Sequence, residues 1–281
     1  MKMSRRSFLK ACGQIMVGGG LAAFGGYKYA TQFENEWLVV EQVQVPLQNL
    51  KPALEGFKIV HMSDIHLHPH TQIDFVRQAV ERANSLNPDL TVLTGDYVLE
   101  SAESIFELAP VLAGLKARHG LFTILGNHDL WTNRKIVVFG LKEAGIPILN
   151  NRGVSLNIGG ELLYLAGLDD IWSGQPDIQA ALDQAPPNAP IILLAHEPDF
   201  ADTTSLDGRI ALQLSGHSHG GQIRLPRIGA PILPPLGRKY DQGLYKINDM
   251  WLYTTRGVGL GRIPIRINCL PEITEITLTR V

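Results

Sequence analysis

Two histidines in a glycine-rich turn are the clearest chemical feature of the sequence. Residues 216–222 read Gly-His-Ser-His-Gly-Gly-Gln and follow the apolar run 210–214. In extended backbone, residues two apart point to the same side, so His217 and His219 can face one ion together. Imidazole nitrogen is a good ligand for transition metals such as zinc and iron. The turn is therefore a candidate metal-binding loop.

The same turn also matches G-x-S-x-G, the pattern around the nucleophilic serine of α/β-hydrolases. Such an enzyme needs an acid and then a histidine downstream of Ser218 to complete its catalytic triad. No histidine follows His219 in the sequence. The pattern of a serine hydrolase is therefore incomplete, and we reject that chemistry.

Four more polar clusters follow apolar runs that read as buried strands. Asp96 lies 32 residues after Asp64, and Asn127 lies 31 residues after Asp96. One strand–helix crossover takes about 30 residues, so these side chains recur at the same height on successive strands. Open α/β sheets bind ligands beyond the carboxyl ends of their strands. We therefore expect one cluster made of Asp64 and His66, Asp96, Asn127 and His128, and His196, together with the turn at 216–222.

The number of these groups indicates how many ions they hold. About eight oxygen and imidazole groups are more than one tetrahedral zinc requires. They suit two divalent ions about 3.5–4 Å apart that share a bridging carboxylate and a water. Each cluster alone has a structural explanation as a polar turn or a helix cap. Their repetition after five apolar runs favours a binuclear centre of Mn, Fe or Zn.

Hydrophobic periodicity predicts the elements that position these residues. Strands at 57–62, 88–93 and 121–125 alternate with helices at 71–86, about 101–116 and about 133–144. The second half is richer in strands, with a hairpin (154–158 and 162–166), two buried strands (190–195 and 210–214) and a short helix near 176–184. It ends in strands that alternate as in antiparallel sheets, at 223–225, 243–247, 251–255 and 273–279. No linker divides residues 37–281, so we expect one α/β domain of two packed sheets flanked by helices.

The amino terminus resembles an export signal. Residues 4–10 read Ser-Arg-Arg-Ser-Phe-Leu-Lys, which is close to an ideal twin-arginine motif, and a Gly/Ala-rich apolar stretch follows at 11–26. A membrane span needs about 20 apolar residues, so this stretch is short for one. We interpret residues 1–36 as a signal or membrane anchor with its linker, and both fates stay open.

Composition and charge limit the class of partners. Hydrophobic residues make up 45% of the chain and charged residues 19%, as in a globular protein with a large core. The formal net charge of −2 gives no basic excess to neutralise phosphates, so we expect no nucleic acid as partner. Cys12 and Cys269 are the only cysteines, which leaves no disulfide framework and no thiolate metal site.

The ordered motifs resemble the signature of the calcineurin-like metallophosphoesterases. The resemblance covers about residues 55–281, and with the twin-arginine motif it looks closest to a small branch of exported bacterial phosphodiesterases. It implies a four-layer sandwich in which two mixed β-sheets lie between helices, with two metal ions at the strand ends. The motifs are Asp64-x-His66, Gly95-Asp96, Gly126-Asn127-His128-Asp129, His196 and Gly216-His217-x-His219.

The resemblance also implies a role for each residue. His128 would stand beside the metals as a general acid, and Asp129 would orient it by accepting its other ring proton. Arg256, Arg262 and Arg266 lie in or near a glycine-rich loop and are candidates to bind the phosphate bidentately. The first ion would be held by Asp64, His66, Asp96 and His219, and the second by Asn127, His196 and His217, with Asp96 bridging.

These features predict a two-metal phosphodiesterase in which a metal-bridging hydroxide attacks phosphorus. We expect it in the periplasm, on the outer face of the cytoplasmic membrane or in the cell wall, delivered by the twin-arginine machinery. It would be a monomer, associated with the membrane surface, and would act on a small-molecule or lipid-linked phosphoester. One alternative is a pyrophosphatase of nucleotide- or lipid-linked sugars, because the apolar loop 228–236 could meet acyl chains. Another is an anchored binding module with a vestigial site, although every catalytic position is filled.

Overall fold

A computed structural model describes residues 14, 18–20 and 24–281 of the chain. The twin-arginine motif at 4–10 lies outside these residues. Residues 24–28 are helical, and the chain continues through a π-helical turn, Tyr29–Phe33, and a 3₁₀ turn, Glu34–Glu36. Within the described residues, no helix has the length and apolarity that a bilayer crossing requires.

Strands and helices alternate through the rest of the chain. The strands of the described residues are β1 (Val39–Leu47), β2 (Lys58–Met62), β3 (Leu90–Leu93), β4 (Leu121–Thr123), β5 (Arg152–Ile158), β6 (Glu161–Gly167), β7 (Ile191–Leu194), β8 (Ile210–Ser215), β9 (Gly243–Ile247), β10 (Met250–Thr254) and β11 (Glu272–Arg280). The helices that pack on them are α1 (Ile73–Ser85), α2 (Ile105–Leu112), α3 (Asn127–Glu143), α4 (Ile178–Leu182) and α5 (Ala201–Thr204).

The strands form two mixed sheets. The first sheet has the order β1-β11-β2-β3-β4, and the second has the order β5-β6-β7-β8-β10-β9. Strands β2, β3 and β4 run parallel, as do β6, β7, β8 and β10. Strand β11 is parallel to β1 and antiparallel to β2. Because parallel strands end at the same edge, the loops after β2, β3 and β4 lie side by side, and so do those after β7 and β8.

The two sheets pack face to face on a shared apolar layer. Leu90 and Ile124 contribute to it from the first sheet, and Leu165, Leu194 and Leu212 from the second; all five are fully or almost fully buried. Helices α1, α2 and α3 cover the outer face of the first sheet, and α4 and α5 cover the second. This four-layer α/β arrangement confirms the predicted fold.

Helix α1 shows how the sequence specifies these outer layers. Val76, Ala79, Val80 and Ala83 recur at helical spacing, and all four are buried against the first sheet. The helix ends just before Asn87, which adopts a left-handed backbone with φ of 51°. Asparagine tolerates this conformation, and the proline that follows it cannot continue the helix.

Helix α3 begins six residues earlier than the hydrophobic pattern predicted, at Asn127 instead of about residue 133. Asp129 lies in the first turn, where its Oδ2 atom accepts a hydrogen bond from the backbone N–H of Gly126 at 3.0 Å. This capping interaction starts the helix at the strand end. Asn133 interrupts the helical dihedral angles, so the apolar periodicity resumes only beyond it.

Two predictions for the second half are wrong. Residues 223–225 do not form a strand of either sheet; Ile223 makes only an isolated bridge to Ile267. The last strands are also not all antiparallel, since β10 pairs with β8 in parallel. Alternation of side chains along one strand reports which face is buried but not the direction of its neighbour.

Candidate metal centre

The residues predicted to bind metal come together at one edge, where strands of both sheets end. We call these seven residues the metal cluster. All of them are buried, although their side chains are polar or ionisable. They are Asp64 and His66 after β2, Asp96 after β3, Asn127 after β4, His196 after β7, and His217 and His219 after β8.

Two histidines and two carboxylates converge in the first part of the cluster. The Nε2 atoms of His66 and His219 lie 3.0 Å apart, and their rings are stacked with centroids separated by 4.9 Å. Asp64 Oδ1 lies 3.4 Å from Nε2 of His219, and Asp96 Oδ2 lies 3.4 Å from Nε2 of His66. Two imidazole nitrogens and two carboxylate oxygens in so small a volume are the donor set that a divalent transition metal prefers.

Asp96 also reaches the second part of the cluster. Its Oδ2 atom lies 3.2 Å from Nε2 of His196, whose ring centroid is 5.1 Å from that of His217. The buried side-chain oxygen of Asn127 has no hydrogen-bond partner. A buried acceptor without a donor is costly, and a cation would satisfy it. Asp96 occupies the position that a bridging ligand would need.

Three overlapping trios of His and Asp side chains in the described residues offer ligand atoms within 4.8 Å of one another. They share members, so the trios form one continuous site. His128, which the sequence analysis placed beside the metals, belongs to one of them. The trios are Asp64 with His66 and His219, His66 with Asp96 and His128, and Asp64 with Asp96 and His196.

Backbone carbonyl groups orient three histidines of the cluster. A carbonyl oxygen can only accept, so the ring nitrogen facing it must carry the proton. The other ring nitrogen then keeps a lone pair for a metal, as is usual for histidine ligands. The pairs are His66 Nδ1 with Val98 O at 3.4 Å, His196 Nδ1 with Thr94 O at 2.6 Å, and His217 Nε2 with Pro235 O at 2.8 Å.

Most residues of the cluster adopt a left-handed backbone, which non-glycine residues rarely do. Each such residue costs of order 1–3 kcal/mol, and such costs concentrate at functional sites. The conformation turns several side chains from successive loops toward one point. The φ angles are 52° for Asp64, 47° for His66, 56° for Asp96, 68° for His217 and 52° for His219.

Two motif glycines are required by close packing around the cluster. A Cβ atom on Gly126 would collide with the carboxylate of Asp96 and the ring of His196. A Cβ atom on Gly216 would collide with the carboxylate of Asp64. The glycines therefore permit the strand-end loops to approach each other closely.

Burial favours the neutral, metal-binding form of His66 and His217, whereas it disfavours the ionised form of Asp64. It lowers the pKa of His66 to about 4 and that of His217 to about 3. A neutral imidazole is the form that ligates, so these rings need not lose a proton near neutral pH. Burial raises the pKa of Asp64 to about 6, because the metal-free pocket disfavours its negative charge.

His128 stands at the mouth of the cluster, at the start of α3. Its backbone N–H donates to Asp96 Oδ1 at 2.8 Å, which fixes its position beside the predicted bridging ligand. Its ring is only partly buried and packs edge-on to His66, with centroids 4.8 Å apart. The ring lines the open cavity over the cluster and can meet a substrate there.

The predicted role of Asp129 is wrong. Its carboxylate does not orient the ring of His128 but accepts hydrogen bonds from the backbone N–H groups of Gly126, Asp96, Tyr97 and Val98. The reason is its place in the first turn of α3, from which it points toward the loop after β3. Asp129 therefore ties two strand-end loops together and positions Asp96 through its backbone.

The arginines divide into two structural residues and one that faces the cavity. Arg256 forms ion pairs with Glu41 and with Glu272, and the buried guanidinium of Arg266 donates to the carbonyl groups of residues 256, 257 and 259. The prediction that these two bind phosphate is wrong. Arg262 is exposed and lines the cavity. It stays a candidate for phosphate binding.

A cavity of about 500 Å³ opens over the metal cluster. The sequence analysis missed two of its tryptophans: the Trp131 ring lies 4.8 Å from that of His128, and the Trp172 ring lies 5.6 Å from that of His217. Trp172 follows the end of β6, so the strand-end rule that located the ligands would have located it. The cavity is also lined by what we call the apolar wall, which consists of Ile223, Pro231, Ile232, Leu233, Pro234, Pro235 and Ile263.

Comparison with known proteins identifies the family. Residues 57–221 match the calcineurin-like phosphoesterase family. The chain belongs to this family. The matched range spans the strand-end loops that carry the metal cluster, from Asp64 to His219. The chain is thus a metal-dependent phosphoesterase, as the resemblance predicted.

Relatives of similar length extend this result over the whole chain. An uncharacterized metallophosphoesterase of Bacillus subtilis, YkuE, is 37% identical, with 99% of this chain and 98% of that protein covered. The phosphodiesterase YaeI of Escherichia coli is 32% identical, with 98% of this chain and 99% of that protein covered. A transmembrane protein with a metallophosphoesterase domain from Bos taurus is 33% identical, and 85% of this chain aligns with 56% of that longer protein.

Proposed function

We propose that the chain is a phosphodiesterase that uses two divalent metal ions. The observation that supports this most directly is the buried convergence of carboxylate, amide and imidazole groups on Asp96, which contacts both parts of the metal cluster. The name of the Escherichia coli relative, a phosphodiesterase, agrees with a diester as substrate. Mn, Fe and Zn are the candidate ions, since each accepts a mixed oxygen and imidazole donor set.

The cluster divides into two candidate metal sites. Two bound cations would offset the negative charge of a phosphodiester and activate a water molecule as nucleophile near neutral pH. The protein holds the ligands in place beforehand through carbonyl groups and through the backbone hydrogen bonds of Asp129. The first site would consist of Asp64, His66, Asp96 and His219, and the second of Asp96, Asn127, His196 and His217.

His128 is the residue placed to protonate the leaving group. It lines the cavity, is partly exposed, and is fixed at the start of α3 by the bond from its N–H to Asp96. A departing alkoxide needs a proton, and a positioned acid contributes about 10²–10⁴-fold to the rate. Arg262, on another side of the same cavity, would bind a non-bridging phosphate oxygen.

We also propose that the protein acts outside the cytoplasmic membrane. The support is the twin-arginine motif at 4–10 and the apolar stretch at 11–26. Replacing Arg5 and Arg6 by lysine should leave folded, metal-containing protein in the cytoplasm, as measured by cell fractionation. Normal export of this variant would contradict the proposal.

The direct test uses metal-stripped protein reloaded with Mn, Fe or Zn. We expect hydrolysis of bis(p-nitrophenyl) phosphate to return with about two ions bound per chain, the number expected for a binuclear site. The corresponding monoester should be hydrolysed more slowly. Asp96→Ala, treated identically, is the control for adventitious metal. Restoration by a single ion, or equal activity of the control, would contradict the two-metal proposal.

A further inference from the structure

The cavity over the metal cluster is chemically two-sided. One set of lining residues comprises five members of the metal cluster, His128, the two tryptophans, Ser218, Gln222 and Arg262, and the other is the apolar wall. A phosphodiester needs the first side for its reacting phosphate. The apolar wall has no polar side chain that could recognise a sugar hydroxyl or the hydrogen-bonding edge of a nucleobase. What the wall can bind is hydrocarbon.

Apolar side chains continue from the wall onto the open surface. Ile232 is 71% exposed and Ile263 is 47% exposed, and both also line the cavity. Ile228, in the same loop as Ile232, is 74% exposed. We call these three isoleucines the exposed rim. A pocket for a soluble ligand gains little from isoleucines that project into water, whereas a contiguous apolar patch marks an interaction surface.

Gln222 ties the segment that carries Ile263 of the rim to the metal-binding turn. Its side-chain N–H₂ donates to the carbonyl groups of Ile263 at 2.6 Å and Ile265 at 3.0 Å. Its side-chain oxygen accepts from the N–H of Gly261 at 2.8 Å. Gln222 ends the turn that carries His217 and His219. Ile263 of the exposed rim is therefore fixed relative to the metal cluster.

The amino-terminal segment joins the molecule beside this rim. Asn35 donates through Nδ2 to the carbonyl of Pro264 at 2.9 Å and accepts from the N–H of Arg266 at 2.9 Å. Pro264 follows Ile263 of the rim. Phe33, two residues before Asn35, is 68% exposed. The described residues 33–36, which follow the apolar sequence 11–26, therefore meet the folded body at the loop that carries Ile263.

The charges around the rim also suit a lipid surface. Arg227 is adjacent to Ile228 and Arg262 is adjacent to Ile263, and both arginines are exposed. Cationic side chains beside exposed apolar ones match the headgroup and acyl layers of an anionic bilayer.

We propose that the exposed rim inserts into a lipid bilayer, and that the substrate is a phosphodiester whose acyl chains lie along the apolar wall. This inference rests on the proposed phosphodiesterase function for the reaction but not for bilayer binding. The metal cluster would meet the phosphate at the level of the headgroups, with Arg262 beside it. A soluble nucleotide would use neither the wall nor the rim.

The first experiment measures binding alone, with metal-free full-length protein. Vesicles of phosphatidylcholine and phosphatidylglycerol in equal parts are titrated into wild type and into the double variant Ile232→Ser/Ile263→Ser, and the bound fraction is measured by sedimentation. Replacing two isoleucines that would be buried in the bilayer should lower the partition coefficient by at least about 10-fold. Leu206→Ser is the matched control, since Leu206 is 77% exposed on the turn that precedes β8, the opposite end from the cluster.

The second experiment compares one phosphodiester with and without acyl chains. Wild type reloaded with Mn should hydrolyse phosphatidylglycerol in vesicles with a kcat/KM at least about 10-fold above that for glycerophosphoglycerol, because only the former buries hydrocarbon on the wall. The double variant should lose most of that preference, with a much larger fall in kcat/KM on phosphatidylglycerol than on glycerophosphoglycerol. Leu206→Ser should leave kcat/KM unchanged on both substrates.

The outcomes separate this inference from the proposed function. Equal partitioning of wild type and the double variant would overturn insertion of the rim, whatever the activity. Preference of wild type for the deacylated diester, or an equal loss on both substrates in the variant, would overturn the acylated substrate. Absence of hydrolysis of every diester, with the partition difference intact, would overturn the phosphodiesterase proposal and leave the bilayer surface supported.

Discussion

The metal cluster and the apolar wall line one cavity but are built in opposite ways. Every residue of the cluster is buried, lies at a strand end, and is fixed by backbone hydrogen bonds or by neighbouring ligands. The wall lies on loops, beyond the strands of either sheet, and two of its isoleucines are largely exposed. The cluster is thus part of the folded core, whereas the wall is attached to it.

This difference indicates that the metal cluster and the apolar wall have separate functions. Changes in the cluster should affect metal content, chemistry and stability together, because the same buried groups serve all three. Changes in the wall should affect substrate choice and, at Ile232 and Ile263, bilayer binding, but not metal content. Five measurements test this division, ordered from the largest expected effect to the smallest.

Asp96→Ala should lower kcat on any diester by about 10⁴-fold or more, since metal catalysis supplies several kcal/mol of the barrier reduction. It should also weaken both metal sites, because Asp96 contacts His66 and His196. Elemental analysis of the purified variant measures this directly. Two tightly held ions in the variant would show that Asp96 does not bridge.

His128→Asn should leave the metal content intact, and its cost should depend on the leaving group. For a diester with an alkoxide leaving group, we expect a loss of kcat/KM of about 10²–10⁴-fold, because the departing oxygen needs a proton. A nitrophenolate leaves without a proton, so kcat/KM for a nitrophenyl diester should fall much less. Equal losses on both substrates would assign His128 an electrostatic role, and loss of an ion would assign it as a ligand, consistent with its place in one trio.

Asp129→Asn should destabilise the fold by about 2–4 kcal/mol, because the new NH₂ group would face backbone donors that now meet a carboxylate. Thermal unfolding of the metal-free protein measures the effect without interference from metal binding. We expect a weaker metal affinity as well, since the N–H of Asp96 loses its anchor. An unchanged melting temperature would contradict the role of Asp129 in positioning Asp96. It would favour the earlier prediction that Asp129 orients the ring of His128.

His61 should make the fold less stable in acid. Burial lowers its pKa from 6.5 to about 3, so below pH 6.5 the unfolded chain takes up a proton that the folded protein cannot. Stability is lost as pH falls, by about 2 kcal/mol between pH 6.5 and pH 5. Urea unfolding of wild type and of His61→Gln at both pH values isolates the contribution of His61 to the pH dependence of the unfolding free energy. Parallel pH slopes for the two proteins would show that His61 does not contribute.

Arg262 and Arg256 form a matched pair for the smallest effect. Arg262→Ala should raise KM by about 10-fold and leave the melting temperature unchanged, because this exposed side chain lines the cavity, where it would contact the substrate. Arg256→Ala should leave KM unchanged but lower the melting temperature, since it breaks ion pairs to Glu41 and Glu272. The reverse pattern would contradict the assignment of both.

The sequence predicted the cluster well because its spacing reflects a geometric rule. Asp64, Asp96 and Asn127 recur at the length of one crossover, and parallel strands bring such residues to one edge. Most of the predicted helices and strands agree with the structure, because burial imposes the periods of 3.6 and 2 on the chain. Local pattern and fold coincide there.

The errors lie where side-chain direction decides the outcome. The motif placed Asp129 next to His128, but the capping geometry of α3 turns its carboxylate toward backbone amides. Arg266 looks like a phosphate ligand in sequence, yet its guanidinium is buried beneath the loop it was expected to extend from. The apolar wall lies on loops, whose paths no periodicity specifies.

The position of β11 has a consequence for how the protein is made. This strand is the last of the eleven described here, yet it lies between β1 and β2 in the first sheet. The segment just before it also supports the metal-binding loop, where the N–H groups of Val258 and Gly259 donate to the carbonyls of Ser63 and Asp64. During synthesis, β1 and β2 must wait without their shared neighbour until some 200 further residues have left the ribosome. Pairing over such a separation is slow, so we expect the metal-binding loop to gain the support of Val258 and Gly259 only at a late folding step.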